Sequence, residues 1–236
     1  MAQLTEAFFD SKEAMTAKLA ELLSSTVSQA IEVDGRASML VSGGSSPAPA
    51  YKHLSNLSLS WDNVTVAMVD ERWVDADHEK SNEAFINSTL LQNEASKAAF
   101  VTMKNAEATA IAGQAQCERA YAELKAPFDI TILGMGPDGH TASLFPHAEG
   151  LEQALQTSEL VCAINAKQSE VTGSITERMS LTLSGIVNTK HAVLLISGDA
   201  KRAVYEEAKQ PGSELDIPLR AVLNHPELKL SVFWCP

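Results

Sequence analysis

The sequence predicts an α/β fold, a mostly parallel open sheet with helices on both faces, organised as one domain over residues 1–236. Three observations predict it. Short apolar, β-rich runs at 37–41, 64–69, 128–133 and 191–197 alternate with stretches whose apolar residues recur at helical spacing. These runs lead directly into glycines or charged residues, the pattern of buried strands whose C-terminal ends carry the working loops. A length of 236 residues, 45% of them hydrophobic, suffices for a substantial core, yet no apolar run approaches the roughly 20 residues that span a bilayer.

Taken in order, residues 3–31 place Leu4, Phe8, Met15, Leu19, Leu22, Leu23, Val27 and Ile31 at helical spacing, which predicts one or two amphipathic helices ended by Gly35. The run 37–41 is a strand, and a helix over 48–54 follows with Pro47 near its first position. A second strand, 64–69, runs into charged residues at 70–72, and 75–79 is a polar loop. Ser81 or Asn82 caps a helix through Leu91. A short strand at 100–103 and a long helix over 107–125 precede the strand 128–133. Beyond it come a strand at 160–164, a polar connection at 167–174, and 179–183, whose alternation predicts a strand with one wetter face. The strand 191–197, a helix from Asp199 to about Lys209, a short helix at 218–223 and a strand at 228–234 complete the chain.

Composition excludes several classes of function. A formal net charge of −12 with no basic stripe argues against nucleic acid, which is held by clustered Lys and Arg. Cys117, Cys162 and Cys235 are odd in number and scattered, so they suit a reducing compartment and form no metal or disulfide framework. The N-terminal residues mix acids among apolar positions and lack the basic-then-apolar order of a secretion signal, so the expected location is the cytoplasm, with no membrane partner. The chain is expected to work as a monomer or weak homo-oligomer.

Chemistry concentrates at the strand ends. After 128–133 come Gly134, Gly136, Pro137 and Gly139, with Asp138 and His140 between them, so a carboxylate and an imidazole share one tight turn where backbone amides can approach a ligand. After 37–41 come Ser42, Gly43, Gly44 and Ser45, then a helix start, an arrangement that presents free amides and hydroxyls to an anion. The spacing matches neither a Walker A loop nor Gly-x-Gly-x-x-Gly, so nucleotide binding is unsupported. After 64–69, Asp70 can act on a proton and Arg72 can hold a phosphate or carboxylate through two hydrogen bonds. Lys201 stands in a helix's first turn, opposing the helix dipole, which hints at a task such as phosphate binding.

Several ordered motifs now stand together: S-G-G-S-S-P from Ser42, V-D-E-R-W-V from Val69 with S-N-E-A-F from Ser81, L-G-M-G-P-D-G-H-T-A-S-L-F-P from Leu133, E-R-M-S-L-T-L from Glu177, and S-G-D-A-K ending at Lys201. In these the chain resembles, over nearly its whole length, the 6-phosphogluconolactonase family, within the superfamily that also holds glucosamine-6-phosphate deaminases. The resemblance implies a Rossmann-like fold of that superfamily and hydrolysis of 6-phospho-D-glucono-1,5-lactone to 6-phosphogluconate, a step of the oxidative pentose phosphate pathway. It implies a sugar phosphate as the small-molecule substrate, and neither metal nor organic cofactor. His140, oriented by Asp138 or another carboxylate, is the expected base, with Asp70 beside it in the catalytic set. Ser42, Gly43, Gly44, Ser45, Arg72, Asn82, Gly136, Arg178 and Lys201 are the expected substrate contacts. Deaminases typically carry Asn-Glu-Pro where this chain has Leu144-Phe145-Pro146, and a tyrosine where it has Arg72. A phenylalanine transfers no proton, which favours the lactonase branch over deaminase chemistry. A non-catalytic sugar-phosphate-binding protein is the reading from a different class. Ser46 stands where the family often has threonine, and Ile175-Thr176 replaces a proline-rich approach to Arg178.

Overall fold

A computed structural model describes residues 2–236. The chain opens on a strand, β1 (Gln3–Phe8), and then enters α1 (Lys12–Asp34), where Ser11 Oγ accepts from the Ala14 N–H at 3.2 Å and Gly35, at φ 73°, ends the helix. The expectation of helix throughout 3–31 therefore fails at its start. Leu4 and Phe8 sit four apart and mimic one helical face, but six residues cut off by a capping serine cannot sustain a helix alone. Instead their backbone pairs in parallel with the last strand of the chain.

β2 (Ala37–Val41), α2 (Ala48–Leu54) and β3 (Val64–Met68) lie where the sequence places them. The charged residues beyond β3 form a three-residue strand of their own, β4 (Asp70–Arg72). Then follow α3 (Asn82–Thr89), β5 (Ala99–Val101), α4 (Ala110–Ala122) and β6 (Ile130–Gly134). Two short helices lie outside the sequence-based expectations: α5 (Leu151–Gln156), which precedes β7 (Val161–Asn165) and β8 (Glu177–Leu181), and α6 (Leu183–Val187). The chain ends with β9 (Ala192–Ser197), α7 (Asp199–Ala208), α8 (Leu219–Asn224) and β10 (Lys229–Cys235).

Seven strands form one sheet in the order β1-β10-β9-β6-β2-β3-β5, with every neighbouring pair parallel. From β2 the chain builds outward to β3 and β5, and from β6 it builds the other way to β9 and β10. The sheet's direction of growth thus reverses between β2 and β6, and the crevice beyond the C-terminal ends of those two strands is where open α/β sheets take ligands. A second, antiparallel sheet, β4-β8-β7, closes one side of that crevice. Its register sets Asp70 against Ser180 and Arg72 against Arg178. The expected wetter face of the 179–183 run is absent, because Met179, Ser180 and Leu181 are all fully buried.

At the opposite end of the sheet, the buried Asp129 accepts from the Ser38 N–H at 2.8 Å and pairs with Lys125 at 2.8 Å and Lys190 at 2.9 Å. Both lysines also reach Asp34, at 2.7 and 2.9 Å. Burial works to raise the Asp129 carboxyl, but the two lysines and the Ser38 N–H outweigh it and hold it below its ordinary value. Hydrogen bonds from Lys125 and Lys190 hold Asp34 at about 2. Carboxyls depressed on folding stabilise the native state above their unfolded values, near pH 4, and that contribution disappears as pH falls through the folded ones. Thermal melting is therefore expected to drop between about pH 4 and pH 2, and Asp129→Asn to lower Tm at neutral pH while making the acid drop shallower. Parallel Tm-against-pH curves for wild type and variant would show that this cluster does not set the acid limit.

Candidate active site

The loops after β2 and β6, the strand β4 and the starts of α3 and α7 meet in a cleft of about 620 Å³ at the C-terminal ends of the parallel sheet's strands. The first loop leaves β2 at Ser42, whose carbonyl accepts from the buried Tyr51 hydroxyl at 3.2 Å. Gly43 follows, and only glycine fits, because a Cβ there would collide with the Asn82 carboxamide. Gly44 and Ser45 complete this wall.

The second wall comes from β4 and the start of α3. Alternation along β4 sends Asp70 and Arg72 to the cleft and Glu71 the other way, into full burial. The Glu71 carboxylate accepts from the Arg72 and Asn82 N–H groups at 2.8 Å each, from the Glu83 N–H at 2.8 Å and from the Ser81 hydroxyl at 3.0 Å. Burial raises its pKa, against these hydrogen bonds. It clamps the N-terminus of α3 to β4 and so holds Asn82 beside Asp70 and Arg72. Sequence reading passed over Glu71, although an acid between two site residues just ahead of a helix start is a usable signal.

The third wall is the loop after β6. Gly136 is needed here too, since a Cβ would meet the His140 ring and the Asp138 carboxylate. Asp138 Oδ1 lies 2.5 Å from His140 Nδ1 and also accepts the His140 backbone N–H at 3.2 Å. Burial works to raise the Asp138 carboxyl, and the hydrogen bonds and charge of His140 overcome it, leaving it below its ordinary value. The imidazole packs on Phe145, ring centres 4.2 Å apart. With Nδ1 engaged by the carboxylate, Nε2 is the nitrogen left to work on a ligand.

Lys201 enters from the first turn of α7, and among the described residues it has no carboxylate within 4.0 Å. Burial lowers its pKa, with Asp138 pulling the other way. Arg72, the other cation facing the cleft, donates from Nη1 to Asn82 Oδ1 at 2.8 Å and to the Lys80 carbonyl at 3.2 Å. It too has no ion-pair partner among the described residues. Two cations with unused charge thus face one pocket in a chain of net charge −12. That is the electrostatic arrangement an anionic ligand requires.

The residues picked out in the sequence converge on this cleft, with two exceptions. Asp138 lies behind His140 and supports it. Arg178 departs from the expectation of a substrate contact: it is 3% exposed and does not line the cleft. Its Nε and Nη2 donate to the Ile175 carbonyl at 3.1 and 2.9 Å, and Nη2 to the Thr172 carbonyl at 3.0 Å. Its guanidinium also lies 5.3 Å from the centre of the Phe145 ring. Burial brings its pKa down to about 10. The loop it holds brings Glu170 and Val171 to the rim, where the sequence suggested only a polar connection. Among the described residues no group of three or more His, Cys, Asp and Glu is placed to hold a metal ion.

Comparison with known proteins gives this geometry its setting. The sequence model of a family described as glucosamine-6-phosphate isomerases/6-phosphogluconolactonase matches residues 10–234. The chain belongs to this family. Within it, a 6-phosphogluconolactonase of Rhizobium meliloti is 36% identical over 228 residues, covering 97% of each protein. A 6-phosphogluconolactonase of Neisseria meningitidis is also 36% identical, over 218 residues and 92% of each. The crystal structure of a 6-phosphogluconolactonase from Shewanella baltica superposes with a TM-score of 0.93 at 37% identity, covering 99% of this chain and 98% of that one. In this chain His140, Arg72 and Lys201 stand together at the strand ends of that family's mostly parallel sheet.

Proposed function

We propose that the chain hydrolyses 6-phospho-D-glucono-1,5-lactone to 6-phosphogluconate. The observation that carries the chemistry is the Asp138–His140 pair on one wall, facing a pocket that holds two cations without carboxylate partners. Lys201, Arg72 and the amides of Gly43 and Gly44, with the Ser45 hydroxyl, grip the 6-phosphate, and this anchors the ring with its carbonyl towards His140; Ser42 lines the cleft, but its hydroxyl is buried and does not reach the phosphate. Gly136 and Asn82 shape the walls around the sugar. His140 Nε2 takes a proton from a water molecule as the water oxygen bonds to the lactone carbonyl carbon, and Asp138 stabilises the imidazolium that forms. The tetrahedral intermediate collapses by breaking the bond from that carbon to the ring oxygen. The proton on Nε2 passes to that oxygen, which leaves as a hydroxyl. Phe145, packed on His140 and 4% exposed, fills the place where ring-opening deaminase chemistry needs a proton-transferring group.

Homology supports the substrate through the names of the relatives at 36% identity over nearly full length. No helix among the described residues is long and apolar enough to cross a membrane. Our reading of the chain as one catalytic domain, working in the cytoplasm as a monomer or weak homo-oligomer, rests on the sequence. The test is the rate of lactone opening, with substrate generated in situ and followed by proton release, against a no-enzyme control. Acceleration over the spontaneous rate is expected. Equality with the control, together with ammonia release from glucosamine 6-phosphate, would move the chain to deaminase chemistry.

A further inference from the structure

Asp70 is a nearly buried carboxylate on the same wall as Arg72, yet the two form no ion pair. Other groups occupy Asp70 instead. The Ser143 hydroxyl donates to Asp70 Oδ2 at 2.6 Å, and Asn82 Nδ2 donates to Asp70 Oδ1 at 3.2 Å and to the Asp70 carbonyl at 2.9 Å. We infer that Ser143 is a positioning residue for the proposed hydrolysis: with Asn82 it occupies Asp70, and so keeps Arg72 turned to the anionic substrate.

The direction of each hydrogen bond is forced. An ionised carboxylate only accepts, so Ser143 must donate to Asp70 and Asn82 must present its NH₂ end. That leaves Asn82 Oδ1 facing outward, where it accepts from Arg72 Nη1 at 2.8 Å. The missing Cβ of Gly43 gives the Oδ1 end its room, and Glu71 fixes the Asn82 backbone. Ser143 itself is fully buried, and its own N–H donates to Ser180 Oγ at 3.0 Å, so its hydroxyl has little freedom to point elsewhere. Ser143 lies on the loop that carries His140. One loop thereby supplies the base and, through Asp70 and Asn82, sets the cation on the facing wall. Removing the hydroxyl leaves Asp70 short of a donor at the cost typical of an unsatisfied buried charge, and the nearest remedy is a direct pair with Arg72 that withdraws it from the cleft.

This inference rests on the lactonase reading, and a double-mutant cycle tests it separately. Ser143→Ala is expected to raise KM about tenfold with kcat within about threefold, the effect of losing one charge-assisted contact to bound substrate. In an Arg72→Ala background the same substitution is expected to change KM less than about twofold, because there is no longer a guanidinium to misdirect. Full additivity of the two changes would overturn the inference, as would a kcat loss with unchanged KM in Ser143→Ala. Should circular dichroism show that Ser143→Ala does not fold, Ser143→Cys keeps the side-chain volume while weakening the donor to Asp70, and must show the same non-additivity with Arg72→Ala. The cycle is also run on the calorimetric Kd for 6-phosphogluconate. A wild type that binds this product without accelerating lactone opening would remove the lactonase reading, while the binding cycle would still decide the role of Ser143.

Discussion

His140→Ala is expected to lower kcat by about 10²–10⁴-fold, the range a positioned general base supplies, while KM changes by less than about threefold. Nδ1 is held 2.5 Å from Asp138 Oδ1, so the ring cannot turn without losing a charge-assisted bond, and Nε2 is committed to the cleft. Phosphate grip lies elsewhere, on Lys201, Arg72 and the Gly43–Gly44 amides, so loss of the imidazole leaves binding in place. Asp138→Asn is expected to lower kcat as well. An amide at this position can donate to Nδ1, which puts the ring proton on Nε2 and turns the base into a donor, and it carries no charge to balance an imidazolium. Stopped-flow proton release on wild type, His140→Ala and Asp138→Asn measures both. A His140→Ala enzyme with near-normal kcat would end the assignment of the base, and a large KM change would place His140 in binding instead.

Much of this site was legible in the sequence for a simple reason. A buried strand that runs straight into Gly-Gly-Ser-Ser, Asp-Glu-Arg or Gly-Pro-Asp-Gly-His announces a loop whose residues are too polar and too unconstrained for a mere connection, and parallel α/β architecture brings such loops to one edge. Local signals fail where a neighbour from far along the chain decides the outcome. Residues 3–8 carry apolar positions at a helix-like interval, but their backbone bonds are supplied by β10, more than two hundred residues away. Asp70–Arg72 read as charges at the end of a strand, because three polar residues do not look like a strand of their own, and only pairing with β8 makes them one. The direction of Arg178 depends on the carbonyls of Thr172 and Ile175, whose loop conformation no periodicity encodes. Ser143 stood inside a conspicuous motif, yet its task became visible only once β4 had brought Asp70 to it.

Lys201→Ala is expected to raise KM about 10–100-fold, because a charge-assisted hydrogen bond to phosphate is worth about 1.5–3 kcal/mol and each 1.4 kcal/mol is a factor of ten. With the reacting carbonyl remote from the phosphate, kcat is expected to stay within about threefold. The same residue predicts a pH dependence whose sign can be worked out. Burial lowers the Lys201 pKa from 10.5, and the weaker pull of Asp138 only partly restores it. Lysine holds its charge below its pKa, so the cation is lost as pH rises through a value below that of a free lysine. A sugar phosphate is already dianionic well above its second pKa of about 6, so the ligand contributes no further change on the alkaline side. The Kd for 6-phosphogluconate, measured by calorimetry to avoid alkaline opening of the lactone, should therefore weaken with rising pH before a solvent-exposed lysine would titrate. Lys201→Arg should move that limb to higher pH, since guanidinium stays protonated. Phosphate-free gluconolactone supplies the control: its turnover should not respond to Lys201→Ala. Equal losses for both substrates, or a Kd flat across the alkaline range in wild type and flat again in Lys201→Ala, would show that the phosphate is held by Arg72 and the glycine loop without this lysine.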